Sequence, residues 1–243
     1  MSAVGIIPAR FGSSRLAGKV IKAVGEKPLI QLVYEAARTA RRLDDIIVAT
    51  DDRLVADIAS GFGARAVLTS PAHRSGSDRL AEVAATIDCT IVVNIQGDEP
   101  MIRGEMIDAT VDILLNEPEL EVATLATVIG EPEDARNPNV VKVVRDIHGN
   151  ALYFSRAPVP YIRNGTERGG RFLKHIGLYA YRKSLLMRFT KWPQTELEKL
   201  EKLEQLRILE HGVKIRVLDT PHDPIGVDTA EDLERVRKLL ASD

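Results

Sequence analysis

Between residues 4 and 116 the chain alternates short apolar, β-branched runs with stretches of helical periodicity, and this rhythm narrows the possible folds sharply. The runs are residues 4–7, 46–49, 66–68 and 91–95. Strands that are apolar on both sides and separated by helices belong to a parallel sheet covered on both faces, so the class is α/β. Pro28 suits the first turn of a helix continuing through Leu29, Ile30, Leu32, Val33 and Ala36, and a second helix is expected over residues 53–62. Ligands of such sheets sit beyond the carboxyl ends of the strands. Four polar clusters follow strand ends here: residues 8–19, 50–52, 69–79 and 96–100.

The first cluster joins a buried strand to a loop that bears Arg10, Arg15 and Lys19. Gly12, Gly18, Ser13 and Ser14 are small enough to let backbone N–H groups approach an anion that the three cations face together. The segment reads as a triphosphate cradle, with a merely solvated basic loop as the alternative. The P-loop pattern is not met. Five residues separate Gly12 from Gly18-Lys19 where four are needed, and Val20 stands where a magnesium-binding Ser or Thr belongs. A metal for this nucleotide must therefore be held by carboxylates from elsewhere in the chain. The dinucleotide fingerprint G-x-G-x-x-G is also missing from the first crossover.

With 243 residues and 44% hydrophobic content, the chain supports one large α/β domain or one domain with a substantial insertion. A net charge of −2 argues against a general nucleic-acid surface, so the N-terminal cations serve a small anion. The single cysteine, Cys89, excludes an intrachain disulfide and a cysteine-based zinc cluster, a usage that suits a reducing cytosol. Neither a signal peptide nor a membrane span is expected from apolar runs this short.

Beyond Glu121 the pattern changes. Residues 122–129, 140–145, 151–154 and 172–181 are strand-like, with His148-Gly149-Asn150 as a turn, and read as an antiparallel insertion packed beside the sheet. Residues 158–170, rich in proline, glycine and charge, read as a mobile loop over the site. A helix over residues 196–211 is expected to open with a capping box of Thr195 and Glu198 and to end at Gly212. Its leucines, Leu197, Leu200, Leu203, Leu206 and Leu209, spiral across a broad face that suits core packing or, alternatively, a second subunit.

Two acidic groups could hold the metal. Asp98 follows an apolar strand, with Gly97 to turn the backbone and Pro100 to stiffen the exit; the alternative is that Asp98 and Glu99 only open a turn before the next helix. Asp228 precedes an amphipathic helix over residues 230–240, where capping by Asp228 or Thr229 is the plainer reading. Magnesium commonly takes one or two carboxylates together with substrate phosphates, so Asp98 and Asp228 make a minimal site if the fold joins them. Residues 69–79 could line a base and ribose, with Arg79 reaching the phosphates, although Ser75 or Ser77 could equally cap a helix. His73 reads as a surface histidine, because no second histidine stands at ligand spacing.

Taken in order, residues 7–10, 13–19, 48–52, 75–83, 94–100, 137–139, 151–156, 175–179, 203–207 and 226–229 resemble the CMP-Kdo synthetases, the 3-deoxy-manno-octulosonate cytidylyltransferases. The resemblance covers nearly the whole chain. It implies a Rossmann-like nucleotidyltransferase fold with a mostly parallel central sheet flanked by helices, and a smaller antiparallel insertion. It also implies a single domain over residues 1–243, whose insertion at about 121–195 contributes to the sugar-acid pocket and dimer interface. The implied reaction takes CTP and Kdo to CMP-Kdo and pyrophosphate with Mg2+, for lipopolysaccharide, in a cytoplasmic homodimer. By motif matching, Arg10, Ser13, Arg15 and Lys19 hold the triphosphate, with Ser75, Gly76, Ser77 and Arg79 near the nucleotide. Asp98 and Asp228 hold magnesium, and Gln96, Arg156, His175, Tyr179, Glu204 and Gln205 shape the sugar-acid pocket. On the residues alone, Arg156 also suits a carboxylate or the open surface, and His175 reads as a satisfied core histidine. Ala17 departs from the family's usual proline, and Ser77 from its threonine. A related sugar acid (an 8-amino Kdo analogue or a sialic acid) and a CTP-binding regulatory protein without turnover are the alternatives.

Overall fold

A computed structural model, which describes residues 2–12, 16–163 and 172–240, gives the expected alternation a definite topology. The first half contains β1 (Ala3–Pro8), the short hairpin β2 (Ala23–Val24) and β3 (Lys27–Pro28), α1 (Leu29–Ala37), β4 (Asp45–Thr50) and α2 (Arg53–Gly61), then β5 (Arg65–Leu68), α3 (Gly76–Ala85), β6 (Ile91–Asn94) and α4 (Gly104–Asn116). The second half contains β7 (Val122–Val128), α5 (Pro132–Arg136), β8 (Lys142–Arg145), β9 (Ala151–Ser155) and β10 (Leu173–Arg182), then α6 (Lys183–Phe189), α7 (Glu196–Glu201), α8 (Gln205–Glu210), β11 (Ile215–Asp219) and α9 (Ala230–Leu240).

Among the described residues one sheet runs in the order β11-β7-β10-β6-β1-β4-β5, with β8 and β9 attached beside β10. β1 pairs in parallel with β4 and β6, β4 with β5, and β7 with β11. Alternate residues enter opposite cores, as the period-two geometry of a strand requires. Ile7, Val48 and Val93 pack on one side with Ile30 of α1 and Ile107 of α4. Ile6, Ile47 and Val92 pack on the other side with Leu80 of α3 and Leu186 of α6.

The antiparallel strands form, but two of them do not lie beside the sheet. β10 sits between β6 and β7, antiparallel to both, so it and β7 continue the central sheet, while β8 and β9 make the smaller antiparallel part. Both faces of β7 and β10 are apolar, which explains the central position. Leu125 and Ala180 join one core, and Val122 and Tyr181 join the other. Gly149, at φ 81°, makes the β8–β9 turn with Asp146 accepting the His148 and Asn150 N–H groups at 2.9 and 2.8 Å.

The expected single helix over 196–211 is instead two. α7 ends at Glu201, Lys202 adopts the left-handed conformation at φ 54° and ψ 44°, and α8 begins at Gln205. The cause lies outside the segment. Arg156 Nε donates to the Glu201 carbonyl at 2.7 Å, while the Glu201 carboxylate accepts from Ser155 Oγ at 2.6 Å and the Arg156 backbone N–H at 2.9 Å. These bonds take the carbonyl and side chain that a continuing helix would carry onward. Leu200 is left exposed, whereas Leu203 and Leu206 are buried, so the spiral of leucines is divided by the break. Of the expected capping box, the Glu198 half forms, its carboxylate accepting from the Thr195 N–H at 3.4 Å. Ser13, Arg15 and most of the expected mobile loop at 158–170 lie outside the described residues.

Candidate active site

Three segments far apart in sequence meet at the carboxyl ends of β1 and β6. Gly18, at φ 63°, turns the chain so that Lys19 opens a short 3-10 helix. The Lys19 ammonium contacts the Asp98 carboxylate, donates to Asp228 Oδ1 at 3.0 Å and donates to the Val227 carbonyl at 3.1 Å. The Val227 N–H in turn donates to the Asp98 carbonyl at 2.8 Å, so the two acidic segments are tied to each other as well as to Lys19. Burial alone would lower the Lys19 pKa, but the Asp98 and Asp228 charges outweigh it and hold the pKa above its ordinary value.

Each acidic segment has a local reason for its shape. A Cβ on Gly97 would stand 2.8 Å from the Pro8 carbonyl oxygen, so only glycine lets the Asp98 loop cross the end of β1 this closely. At the second segment the helix start and the site use different residues. Asp232 accepts from the N–H groups of Asp228 and Thr229 at 3.0 and 2.9 Å, and Thr229 Oγ1 accepts from the Asp232 N–H at 3.1 Å. Thr229 and Asp232 therefore cap α9, and the Asp228 side chain is released towards Lys19.

A cavity of about 380 Å³ opens beside these groups, lined by Arg10, Lys19, Arg74, Ser75, Asp98 and Asp228 among others. Ser75 is the N-cap of α3, accepting from the Asp78 N–H at 3.1 Å, and Gly76 follows it on the cavity wall. Ser77 is buried and donates to Glu204 at 2.6 Å. Arg79 also lines the wall, but its guanidinium is engaged by Asp51 at 2.8 Å and by Thr69. It thus braces the end of β4 against the loop before α3.

The expected sugar-acid residues divide into two groups. Gln96 lines the cavity and donates to the Gly177 carbonyl at 3.2 Å, linking β6 to β10. Behind it, the His175 ring contacts Phe154 edge-on at 4.9 Å and Tyr179 at 5.3 Å, with Nε2 3.1 Å from Thr124 Oγ1. Gln205 is buried at the start of α8, next to Glu204. Arg156 is placed elsewhere, with Nε on the Glu201 carbonyl and Nη1 on the Pro138 carbonyl at 2.8 Å. It anchors two backbone segments and does not line the cavity.

Some site features escaped the sequence reading. His73 contacts Glu82, which also accepts the Ser70 N–H at 2.9 Å, so this histidine folds the cavity-lining loop against α3. Glu99 lies behind Asp98. Burial, with the Asp98 charge beside it, pushes its pKa up to about 8. Its short spacing from Asp98 is visible in the sequence, but its desolvation is not.

Burial drives the His175 pKa down to about 3, so the imidazole is neutral in the folded protein at ordinary pH. A folded-state pKa below the unfolded value of roughly 6.5 means that the unfolded chain takes up the proton first. Stability from this residue is complete above about pH 6.5 and is lost as pH falls through that window towards 3. Urea midpoints measured from pH 7 down to pH 4 should fall less steeply for His175→Asn than for the parent chain; parallel slopes would show that His175 does not contribute.

Known proteins resemble this chain over nearly its full length. Residues 4–215 match the family model described as cytidylyltransferase. A 3-deoxy-manno-octulosonate cytidylyltransferase from Syntrophobacter fumaroxidans is 52% identical over 246 residues, covering 100% of this chain and 98% of the relative. Another of that name from Geobacter sulfurreducens is 48% identical, covering 99% and 100%. Among solved structures, a CMP:2-keto-3-deoxy-manno-octonic acid synthetase in complex with CTP superposes with a TM-score of 0.95 at 43% identity, covering 100% of this chain and 99% of that one.

Proposed function

The chain belongs to the 3-deoxy-manno-octulosonate cytidylyltransferase family and is an enzyme of that kind, and we propose that it transfers CMP from CTP to Kdo with release of pyrophosphate, using magnesium held by Asp98 and Asp228. The observation that carries this reading is the convergence of Lys19, Asp98 and Asp228 from three segments on one edge of a cation-lined cavity. The donor set suits magnesium. Two hard carboxylates already share one cationic partner, and among the described residues no cluster of three or more His, Cys, Asp or Glu could enclose a metal without substrate. Magnesium bound there would neutralise charge on the phosphate oxygens and lower the pKa of the attacking hydroxyl.

The chain's own residues do the rest. Arg10 and Lys19, with Ser13 and Arg15 from the same loop, hold the triphosphate, and Ser75 to Ser77 present the α3 N-terminus to the nucleotide. The sugar hydroxyl attacks the α-phosphorus, forming the new P–O bond while the bond to the β-phosphate oxygen breaks and pyrophosphate leaves. Lys19 stabilises the charge that gathers on the leaving group, and no protein nucleophile is required. Gln96, His175, Tyr179, Glu204 and Gln205 face the sugar acid. Arg156 supports that pocket through the backbone segments it anchors.

The assembly belongs to the same reading. The chain is one nucleotidyltransferase domain, and its part at about 121–195 adds to the sugar-acid pocket and to a homodimer interface. In this reading the chain supplies CMP-Kdo for lipopolysaccharide in the cytoplasm; among the described residues no helix is long and apolar enough to cross a membrane. Mixing the protein with CTP, Mg2+ and Kdo should release pyrophosphate in proportion to CMP-Kdo formed. Preference for a sialic acid or an 8-amino Kdo analogue over Kdo in a competing-acceptor assay would overturn the choice of acceptor. Light scattering on the eluted protein checks the dimer.

A further inference from the structure

The loop between β5 and α3 brings His73, Arg74, Ser75 and Gly76 to the cavity wall, yet it is neither helix nor strand from Thr69 to Ser75. Its ends are fixed by their neighbours: the Thr69 N–H donates to the Thr50 carbonyl at 2.8 Å, and Ser75 caps α3. The stretch between them is held through side chains. Ser70 Oγ accepts the Ala72 N–H at 3.2 Å, and one oxygen of Glu82, Oε2, accepts the Ser70 N–H at 2.9 Å and contacts His73 Nε2.

Glu82 can hold the loop because α3 is itself anchored. Leu80 and Val83 bury the helix against the sheet, and Arg79 and Glu82, three residues apart, share a helix face turned to the loop. Arg79 takes Asp51 and Thr69 at the base of the loop, and Glu82 takes Ser70 and His73 further along it. The Ser70 bond, with the His73 contact, holds the Glu82 carboxyl below the usual carboxylate range, so it is ionised at neutral pH. An ionised carboxylate only accepts, so His73 Nε2 carries the proton that it donates. The His73 side chain, 22% exposed, therefore ties the loop to α3 while standing on the cavity wall.

Resting on the reading that this cavity takes CTP, we propose that Glu82 and His73 are positioning residues for the nucleotide: Glu82 holds His73 and the Ser70 backbone so that residues 70–74 keep their binding shape before CTP arrives. A loop already in its bound shape gives up less conformational freedom when the ligand binds, and its polar groups meet the nucleotide without rearranging. Neither residue needs to touch the reacting atoms. Their loss weakens CTP binding and spares the acceptor, whose proposed residues on β10 lie on another segment. A purely structural brace would lower stability and leave the affinity alone.

Calorimetric titration of CTP with Mg2+ present tests this without requiring turnover, which pyrophosphate release scores in a separate assay. Glu82→Ala should weaken CTP binding about tenfold, the order expected when hydrogen bonds to a charged group are lost. At position 73 the side-chain amide of glutamine places a donor near the site of Nε2, whereas that of asparagine lies near Nδ1. His73→Gln should therefore bind CTP within about twofold of the parent chain and His73→Asn about fivefold more weakly, with the acceptor KM unchanged in both. The position 73 variants alter only the loop, so they decide the matter if Glu82→Ala does not fold. Unchanged CTP affinity in His73→Asn overturns the inference, even if its melting temperature falls. Equal losses in His73→Gln and His73→Asn overturn it too, because the ring would then be contacting the nucleotide itself. A parent chain that does not bind CTP removes the nucleotide reading and this inference together. One that binds CTP without releasing pyrophosphate overturns the proposed reaction, and the variant affinities still decide the inference.

Discussion

Replacing Lys19 by Met should lower kcat/KM for pyrophosphate release by about 10³-fold, the order seen when one preorganised charge-stabilising donor is removed from a transition state. The geometry makes Lys19 hard to replace. Its side chain is 14% exposed and stands between two carboxylates that would otherwise repel each other. Because those carboxylates raise its pKa, the ammonium stays charged through the neutral range, and activity there should show no loss from its deprotonation. Asp98→Asn should be comparably damaging to turnover while leaving CTP binding, measured by calorimetry, within several-fold of the parent. Retention of near-normal kcat by either variant would remove that residue from the reaction.

The largest effect on stability should come from Lys142→Met. Lys142 is wholly buried, and its ammonium donates to the carbonyls of Asn137 at 2.9 Å, Val140 at 2.6 Å and Arg156 at 2.6 Å. Methionine fills the same space but leaves three carbonyls without this donor, each worth about 1–3 kcal/mol if it stays dry. With partial relaxation the expected cost is about 3 kcal/mol, or roughly a 10 °C fall in melting temperature for a domain of this size. Differential scanning calorimetry measures it directly, and a fall of less than a few degrees would show that the carbonyls find other partners. A lowered acceptor affinity should accompany the loss, because the Arg156 segment sits in the same network as the break at Lys202.

The residues that could be read in advance are those whose role is local. The β-branched runs at residues 4–7, 46–49 and 91–95 announced β1, β4 and β6, and the cations after Pro8 announced an anion site. Asp98 was visible as an acidic residue at a strand end, and Thr229 as a helix start. What could not be separated beforehand was Asp228 from Thr229, because either side chain can cap a helix. The decision rests on Asp232 satisfying the free N–H groups with Thr229, and on Lys19 lying within reach of Asp228 from 209 residues away. Arg156 shows the same limit in reverse. Its guanidinium suits a carboxylate on paper, yet backbone carbonyls from Pro138 and Glu201 claim it.

By itself the sequence determined the α/β class, the position of the strand ends and the chemistry available at each of them, since backbone propensity and side-chain type act over a few residues. The tertiary structure alone decided which strand lies next to which, with β10 placed between β6 and β7. It also decided where a helix must break, which carboxylate faces Lys19, and which loop side chain Glu82 holds. The physical reason is common to all four: each depends on which distant groups compete for the same hydrogen bonds and the same buried space, and that competition exists only once the chain has closed on itself.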